Sequence, residues 1–302
     1  MSLQQSFLNL ILRNIMKRRM RAIEDPVLAR RAMERLASWV VIEPKGLCLL
    51  RTQYGGVPCV SARVGRVAPD AVMLYLHGGG YFAGSPSMYR AMAGRFSKLS
   101  GLDVIMPDYR RAPEHPLPAA LEDAVAAWQG LIEMGYAPER IVLAGDSAGG
   151  GLALLLLAHL CRAGTRPAGV ITFSPWTDLS CSSESFRKNA KSEVLLPSER
   201  VEQASVQARG AVAGDDPSVS PLFADFPAAP PVLIQHSMTE LLCDDSLRMA
   251  ERLRAFNVDV TVQSWPKAPH AWQFFDGRLP EARAALEDAG KAARRMLNLP
   301  LR

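Results

Sequence analysis

Residues 141–150 read IVLAGDSAGG, and residues 151–157 continue as GLALLLL. The apolar run before the glycines predicts a buried strand, and the run after them predicts a helix. Ser147 stands at the bend, with Gly145 and Gly149 two residues to either side, which is the G-x-S-x-G spacing of a nucleophile elbow. So tight a turn forces the serine towards positive φ, and bulky neighbours would collide with the returning backbone. The stretch therefore predicts a serine hydroxyl lifted above a sheet, between a strand and a helix.

The same glycines have an alternative reading as a phosphate-binding turn at a helix N-terminus, as in a dinucleotide-binding fold. Their spacing does not match the G-x-G-x-x-G pattern of such turns. Candidates for the other members of a catalytic triad are also present in the chain. We therefore interpret the turn as the site of a nucleophile.

A second glycine run, HGGG at 77–80, follows a predicted strand upstream of the elbow. Consecutive glycines leave backbone N–H groups accessible, so a substrate carbonyl can approach them closely. We expect Gly79 and Gly80 to form an oxyanion hole together with the N–H of Ala148, in preference to Gly78. A plain flexible turn is the alternative, which the position of the run after a strand disfavours.

A serine nucleophile needs a base. In folds that carry a nucleophile elbow, the triad residues occur along the chain in the order nucleophile, acid, histidine. The histidines are His77, His115, His159, His236 and His270. His270 follows the predicted strand 258–264 in a loop, and catalytic groups collect at the carboxyl edge of a parallel sheet. His77 is expected to shape the glycine loop, and the other three to lie in a proline-rich turn, a helix and a strand end. His270 is therefore the predicted base.

The acid must lie between the serine and His270, and the stretch SMTELLCDD at 237–245 offers three carboxylates. Glu240 is nearest the end of the preceding strand. Asp244 and Asp245 are typical of the first turn of a helix, where negative side chains complement the helix dipole. A glutamate is adequate, since the acid only orients the imidazole and stabilises imidazolium. We favour Glu240 and keep the two aspartates as alternatives.

Six motifs occur in one order along the chain beyond residue 70. They are HGGGYF at 77–82, DYRRAPEHPLPAALED at 108–123, GDSAGG at 145–150, SPWTDLS at 174–180, DPSVSPLFADF at 216–226 and WPKAPHAWQFF at 265–275. In these motifs the chain resembles the bacterial hormone-sensitive-lipase-type (family IV) carboxylesterases of the α/β-hydrolase fold. The resemblance implies an esterase with Ser147, an acid and His270 as its triad, and a helical cap formed partly by the N-terminus. Members usually carry aspartate at the acid position, and Glu240 resembles the rarer glutamate-bearing ones.

The pattern of apolar runs predicts an α/β fold with a mostly parallel eight-stranded sheet flanked by helices. The predicted strands are 47–53, 57–64, 71–76, 103–106, 140–145, 168–173, 231–236 and 258–264. The first two read as an antiparallel hairpin joined by Tyr54-Gly55-Gly56. The predicted helices include 117–134, 151–163, 244–256 and 281–297. Their alternation with the later strands indicates right-handed crossovers between parallel strands.

The predicted domain organisation is a core interrupted by a cap. The expected parts are 1–45 (first part of the cap), 46–179 (first part of the core), 180–215 (second part of the cap) and 216–302 (second part of the core). Leu3, Phe7, Leu10, Ile11 and Ile15 recur at helical steps, which predicts an amphipathic helix. A second helix is predicted over 25–41, with Asp25 as N-cap and Pro26 at its first position.

The N-terminal helices have two interpretations, which can hold together. One is a cap packed over the active site. The other is a weak contact with a membrane surface, in which the basic cluster 17–19 meets anionic headgroups. The formal net charge is +5, and residues 1–35 hold eight Arg or Lys against three acids, so this segment accounts for the excess. The rest of the chain is balanced and carries no nucleic-acid-binding motif, so we expect no nucleic-acid partner.

The remaining features set limits on cofactors and location. The five cysteines are scattered without a C-x-x-C pair, which favours reduced thiols in a cytoplasm over disulfides or a zinc site. No apolar run has the length of a membrane span, and Arg13 interrupts the N-terminal apolar stretch, so no secretory signal is expected. The predicted chemistry uses a small-molecule ester as substrate and needs no metal or cofactor. Family resemblance allows a homodimer through the last strand. An amidase or peptidase with the same triad, or a non-catalytic ligand-binding relative, are the alternative functions.

Overall fold

An eight-stranded sheet forms the centre of the protein. The computed structural model describes residues 2–23 and 25–300, and the side chains of 36–40 lie outside that description. Within those ranges the strands are β1 (Leu47–Tyr54), β2 (Val57–Val64), β3 (Val72–Leu76), β4 (Asp103–Pro107), β5 (Ile141–Asp146), β6 (Gly169–Phe173), β7 (Val232–Ser237) and β8 (Val260–Trp265). Every predicted strand is confirmed, and each end agrees to within two residues.

The strand order in the sheet is β1-β2-β4-β3-β5-β6-β7-β8. β2 pairs antiparallel with both β1 and β4, and the predicted β1–β2 hairpin is confirmed. From β4 to β8 all neighbours are parallel. Parallel neighbours need crossover connections, and helices supply most of them here. The predicted α/β architecture is therefore confirmed.

Helices cover the sheet and extend along the N-terminal segment. Among the described residues the α-helices are α1 (Leu3–Ile11), α2 (Lys17–Ala22), α3 (Pro26–Val40), α4 (Pro86–Ser100), α5 (Ala119–Glu133), α6 (Ser147–Arg162), α7 (Glu184–Lys188), α8 (Ser198–Arg209), α9 (Cys243–Ala255) and α10 (Pro280–Met296). A π-helical turn, Leu12–Met16, joins α1 to α2. The predicted N-cap of α3 is confirmed, because Asp25 Oδ1 accepts the N–H groups of Val27 and Leu28 at 2.7 and 3.0 Å.

One predicted helix boundary is wrong. The helix expected at 151–163 begins at Ser147, so the glycines after the serine belong to its first turn. Glycine is a poor helix former, so propensity alone disfavours a helix over these residues. Close packing overrides that propensity, since a Cβ atom on Gly149 would lie 2.1 Å from the carbonyl oxygen of Leu76. The other three predicted helices correspond to α5, α9 and α10.

The two faces of the sheet pack against different helices. On β3 the side chains of Val72 and Leu74 join a core cluster with residues of α5, α6 and α9. Met73 and Tyr75, which point the other way, join a cluster with residues of α4 and α10. Because β3, β5, β7 and β8 run parallel, their carboxyl ends open at one edge of the sheet. The glycine loop, Ser147 and the loops that carry the predicted acid and base all lie at that edge.

The N-terminal segment, which runs from α1 to α3, contacts residues 184–209, which include α7 and α8. Lys17 Nζ donates to the carbonyl oxygens of Ala190 and Glu193 at 3.1 and 2.8 Å, and Arg21 pairs with Glu199 at 2.6 Å. The predicted division into 1–45, 46–179, 180–215 and 216–302 stays a prediction, and residues 1, 24, 301 and 302 lie outside the described residues. No helix in the described ranges combines the length and the apolar character required to cross a membrane.

Candidate active site

The elbow at Ser147 has the predicted geometry. β5 ends at Asp146, and α6 begins at the next residue. Ser147 has a φ of 52°, in the left-handed region that costs free energy for a residue with a side chain. A Cβ atom on Gly145 would lie 2.3 Å from the carbonyl oxygen of Gly149. The small residues at both positions are therefore required by the close approach of strand and helix.

The structure brings the predicted serine, histidine and glutamate together. Ser147 Oγ lies 2.9 Å from Nε2 of His270, and Glu240 Oε2 lies 2.6 Å from Nδ1 of the same ring. His270 is 4% exposed and Glu240 is 1% exposed. With the ring proton on Nδ1, the histidine donates to the glutamate and accepts from the serine. The three side chains thus form one hydrogen-bonded line.

Main-chain contacts hold the two loops that carry the glutamate and the histidine. Glu240 Oε1 accepts the N–H of Ser237, at the end of β7, at 2.9 Å. The Ser237 hydroxyl donates to the carbonyl oxygen of Ala268 at 2.6 Å, and the N–H of Ala271 donates to the Ser174 hydroxyl at 3.2 Å. The Ser237 contacts fix the turn that carries Glu240 against the loop that carries His270, and the Ala271 contact anchors that loop to the residue after β6. The glutamate and the imidazole are therefore held within hydrogen-bond distance of one another.

The two alternative aspartates bind elsewhere. Both lie in the first turn of α9, as expected. Asp245 accepts the N–H groups of Thr177 and Asp178 at 2.9 and 3.0 Å, and burial raises its pKa to about 7. Asp244 accepts the N–H of Ser185 at 2.7 Å. Of the three candidate carboxylates, the one that reaches the histidine is that of Glu240.

The electrostatics of the site favour a charged imidazole. Burial by itself would lower the pKa of His270, but Glu240, and beyond it Glu193 and Asp146, act in the opposite direction. The net result is a pKa above the ordinary value of 6.5. His77 is different, since burial lowers its pKa to about 3. Its ring stacks on Tyr109, with centroids 4.3 Å apart, as a neutral side chain inside the glycine loop.

The glycine loop lies beside Ser147. Gly79 and Gly80 have φ of 129° and 63°, and a Cβ atom on Gly79 would lie 2.2 Å from the carbonyl oxygen of Ala83. The N–H of Gly78 is donated to Asp146 Oδ1 at 2.9 Å. Ala148 is the second residue of α6, where backbone N–H groups have no partner within the helix. The arrangement leaves Gly79, Gly80 and Ala148 as the candidate donors to an oxyanion.

Sequence reasoning missed two tyrosines that support the elbow. Asp146 accepts the hydroxyl of Tyr75, from β3, and the hydroxyl of Tyr89, from α4, at 2.8 Å each. Burial raises the pKa of Asp146, whereas these hydrogen bonds and that from Gly78 act to lower it. No local motif marks either tyrosine, because a buried aromatic residue in a strand or helix reads as ordinary core.

Ser147 and His270 border an apolar cavity of about 270 Å³. Ser147, His270, Gly79 and Gly80 line one part of it. The apolar lining includes Leu8, Ile11, Leu12 and Met16 from the N-terminal segment and Leu195, Leu196 and Val201 from the region of α8. Among the described residues no group of three or more His, Cys, Asp or Glu side chains is placed to hold a metal ion. The cavity therefore offers an apolar compartment next to a hydrogen-bonded serine.

Known proteins share this architecture. A family model described as the alpha/beta hydrolase fold matches residues 73–274. An acetyl-hydrolase of Streptomyces hygroscopicus is 41% identical over 267 residues, which cover 82% of this chain and 88% of that protein. An esterase of Acinetobacter venetianus is 36% identical over 74% of each chain. The crystal structure of an esterase from the bacterial hormone-sensitive lipase family matches with a TM-score of 0.93 at 34% identity, over 98% of this chain and 99% of that one.

The family match covers more than half of the chain, and the similarity extends over both the core and the N-terminal segment. The chain therefore belongs to the bacterial hormone-sensitive-lipase-type (family IV) carboxylesterases of the α/β-hydrolase fold, and it is a carboxylic ester hydrolase.

Proposed function

We propose that this carboxylesterase hydrolyses short- to medium-chain acyl esters through a Ser147–His270–Glu240 triad and an acyl-enzyme. The observation that carries the proposal is the line of contacts from the serine hydroxyl through the imidazole to the carboxylate, at 2.9 and 2.6 Å. Such a line supplies a nucleophile, a base within reach of its proton, and a group that orients the base.

In the acylation step Ser147 Oγ attacks the carbonyl carbon of the ester, and its proton moves to Nε2 of His270. Glu240 stabilises the imidazolium that forms. The carbonyl oxygen becomes an oxyanion and accepts the N–H groups of Gly79, Gly80 and Ala148. When the tetrahedral intermediate collapses, the bond to the alcohol oxygen breaks, and the alcohol leaves with the proton from His270.

Deacylation repeats the sequence with water as the nucleophile. His270 takes a proton from the water as it attacks the acyl-enzyme carbonyl. The second tetrahedral intermediate breaks the bond to Ser147 Oγ, which recovers a proton from the imidazolium. The acid product then leaves, and the enzyme returns to its starting protonation state.

Cavity size supports the proposed acyl length. At about 270 Å³ the cavity is slightly smaller than typical small-molecule pockets, which range over about 300–1,000 Å³. A smaller cavity of about 110 Å³ is lined by several of the same residues, among them Met16, Met20 and Met33. An unbranched acyl chain can extend along these flexible apolar side chains.

We also propose that 1–45 and 180–215 together form a helical cap. Both ranges contribute side chains to the cavity that contains Ser147, and Lys17 joins them through main-chain hydrogen bonds. A cap so placed would exclude water from the acyl chain and control its entry.

The outer face of α1 is apolar. Leu3, Phe7 and Leu10 are 87%, 66% and 59% exposed. Of the basic cluster 17–19, Lys17 is buried and donates to main-chain carbonyl oxygens, so its predicted part in headgroup contact is wrong, whereas Arg18 and Arg19 are exposed. An apolar stripe flanked by basic residues favours the surface of an anionic lipid bilayer. We propose a weak, reversible contact of this kind, beside the cavity that the cap covers.

Replacing Ser147 with alanine tests the proposed mechanism. Turnover of a short p-nitrophenyl ester should be lost, because no other group supplies the attacking oxygen. A burst of p-nitrophenol released from this variant would refute the assignment. An ester and an amide with the same acyl group then show whether the enzyme also cleaves amides.

Assembly and location are separate predictions. β8 is an edge strand of the sheet and leaves a row of backbone groups for pairing with a second copy. Size-exclusion chromatography with light scattering tests the homodimer, and fractionation of the producing cells tests the cytoplasmic location.

A further inference from the structure

A second buried carboxylate lies next to the Glu240–His270 pair. Glu193 is 2% exposed and lies between α7 and α8, outside every motif that the sequence analysis singled out. A buried charge is costly unless hydrogen bonds satisfy it. The groups that bind the Glu193 carboxylate therefore show which parts of the chain it holds together.

Main-chain N–H groups from two loops bind the Glu193 carboxylate. Oε1 accepts from Leu195 at 2.7 Å and from Leu196 at 3.2 Å, and these two residues line the cavity. Oε2 accepts from Leu241 at 3.2 Å, and Leu241 directly follows Glu240. One side chain thus joins the cavity wall to the turn that carries the triad acid.

Neighbouring side chains bind the same turn. Asn189 Nδ2 donates to the carbonyl oxygens of Met238 and Glu240 at 3.1 and 2.9 Å. The Ser192 hydroxyl donates to the carbonyl oxygen of Thr239 at 3.0 Å. The segment 189–193 therefore contacts every residue of the turn 238–241 through a backbone group. The carboxylate is the charged and most deeply placed member of this set.

Lys17 connects the segment to the N-terminal helix. Its ammonium group donates to the carbonyl oxygens of Ala190 and Glu193, and the residue is 6% exposed. Lys17 is separated from Glu193 by 176 positions in the chain, so the contact exists when α2 is docked on this segment. Docking of α2 and the order of the acid turn are thereby linked through two residues.

We propose that Glu193 is a positioning residue that keeps the turn 238–241, and with it Glu240, in the orientation needed for catalysis. Because Lys17 binds the same segment, this positioning depends on the docking of α2. The proposal rests on the triad proposed above. It assigns the cap a part in ordering the triad in addition to covering the acyl chain.

The charge of Glu193 also acts on the base. His270 faces three carboxylates, those of Glu240, Glu193 and Asp146, and each raises its pKa. Burial raises the pKa of Glu193, while the charge of His270 acts to lower it. A neutral residue at 193 should therefore lower the pKa of the histidine, which a purely packing role would not do.

The experiment compares Glu193→Gln and Glu193→Asp with the wild-type enzyme on a soluble p-nitrophenyl ester. Glutamine turns an NH₂ group towards a backbone N–H, so we expect kcat to fall about tenfold with KM nearly unchanged. The acid limb of kcat/KM should also move to lower pH. Aspartate retains the charge but not the reach, so kcat should fall while the acid limb stays in place. Glu184→Gln removes an exposed carboxylate on α7, whose partner is Lys188 of the same helix, and should change neither quantity.

Lys17→Met tests the link to the N-terminal helix, with the exposed Lys188→Met as its control. Lys17→Met should lower kcat on the same soluble ester, and the control should not. Unchanged kcat and an unchanged acid limb in folded Glu193→Gln, or wild-type kcat in Lys17→Met, would overturn the proposal. Ser147→Ala and Glu240→Gln are measured alongside, because activity in those variants would overturn the triad itself and not the positioning role alone.

Discussion

Asp146 accepts the N–H of Gly78 at 2.9 Å, which joins the residue before Ser147 to the first glycine of the 77–80 loop. The proposed nucleophile and the candidate oxyanion donors are therefore held by one side chain. The hydroxyls of Tyr75 and Tyr89 complete its hydrogen bonds from the two sides. The separation between Ser147 Oγ and the candidate oxyanion donors is thus set by a buried hydrogen-bond network, and not by the flexibility of a glycine run.

Replacing Asp146 with alanine should destabilise the protein strongly. The change leaves the hydroxyls of Tyr75 and Tyr89 without their carboxylate acceptor in the core, and the N–H of Gly78 keeps only its longer bond to the Tyr89 hydroxyl. At about 1–3 kcal/mol for each unsatisfied buried group, we expect the free energy of unfolding to fall by about 3 kcal/mol or more. Urea denaturation measures it. Asp70→Ala, which removes an exposed ion pair with Arg140, should cost less than about 1 kcal/mol. Equal effects of the two variants would contradict the network.

Glu240→Gln should abolish most of the activity and leave the fold intact. Glutamine can present its NH₂ group to the imidazole, which then favours the wrong tautomer for accepting the serine proton. We expect kcat to fall by about 10⁴-fold on a soluble ester. Asp244→Asn is the matched control from the adjacent helix turn, and its kcat should stay within about threefold of wild type, since its effect is limited to a remote loop contact. A larger loss in Asp244→Asn than in Glu240→Gln would reverse the assignment of the acid.

The pH dependence of the wild-type enzyme should reflect the raised pKa of His270. A protonated imidazole cannot accept the proton of Ser147, so kcat/KM is full above this pKa and is lost as the pH falls through it. Because the carboxylates near the ring outweigh burial, the midpoint of the acid limb should lie above pH 6.5. Initial rates on a soluble ester between pH 5 and 9 measure it (a span of about two units either side of neutrality). A midpoint below the ordinary histidine value would show that burial dominates.

Filling the cavity should shorten the preferred acyl chain. Met16 lines both the larger cavity and its smaller neighbour, so tryptophan there occupies the space in which a longer chain extends. We expect Met16→Trp to lower kcat/KM for an octanoyl ester about tenfold and for an acetyl ester less than about threefold. Met134→Trp, at a residue that is 70% exposed, is the control. Equal losses on both esters would indicate that the acyl chain lies elsewhere.

Exposed apolar residues of α1 should govern binding to lipid. Phe7→Ser combined with Leu10→Ser removes most of the apolar stripe, while soluble-ester activity should be retained, because both side chains face away from the cavity lining. We expect several-fold weaker co-sedimentation with phosphatidylglycerol vesicles, and a further loss at high salt as the basic residues are screened. Val206→Ser, on α8, is the control. If the double variant bound the vesicles as well as the wild type does, this surface would not be the site of lipid contact.

The strands and most helices could be predicted because each follows from a local pattern. The run 141–144 is apolar throughout, and the strand 141–146 that contains it is buried on both faces, as is typical of a central parallel strand. The start of α6 was predicted four residues late, because helix propensity counts glycine as a breaker and does not register the main chain of Leu76 packed against Gly149.

The residues of the candidate site likewise differ in whether a local sequence pattern marks them. Spacing and chain order were sufficient to select Ser147 and His270, since the elbow motif and the loop after the last strand are local signals. Glu193 and Lys17 carry no such signal, because each acts through backbone groups of segments far away in the chain. Tyr75 and Tyr89 were missed for the related reason that their hydroxyls, and not their apolar rings, contact Asp146.

By itself, then, the sequence determined the fold class, the elbow and the likeness to esterases, since these depend on residue type at short spacing. Tertiary structure alone decided which of three nearby carboxylates reaches the imidazole, and that the N–H of Gly78 is bound by Asp146. The physical reason is that hydrogen bonds are directional. A hydrogen bond depends on where a side chain points once the chain has folded, and residues a few positions apart in a turn or helix can point to opposite sides of it.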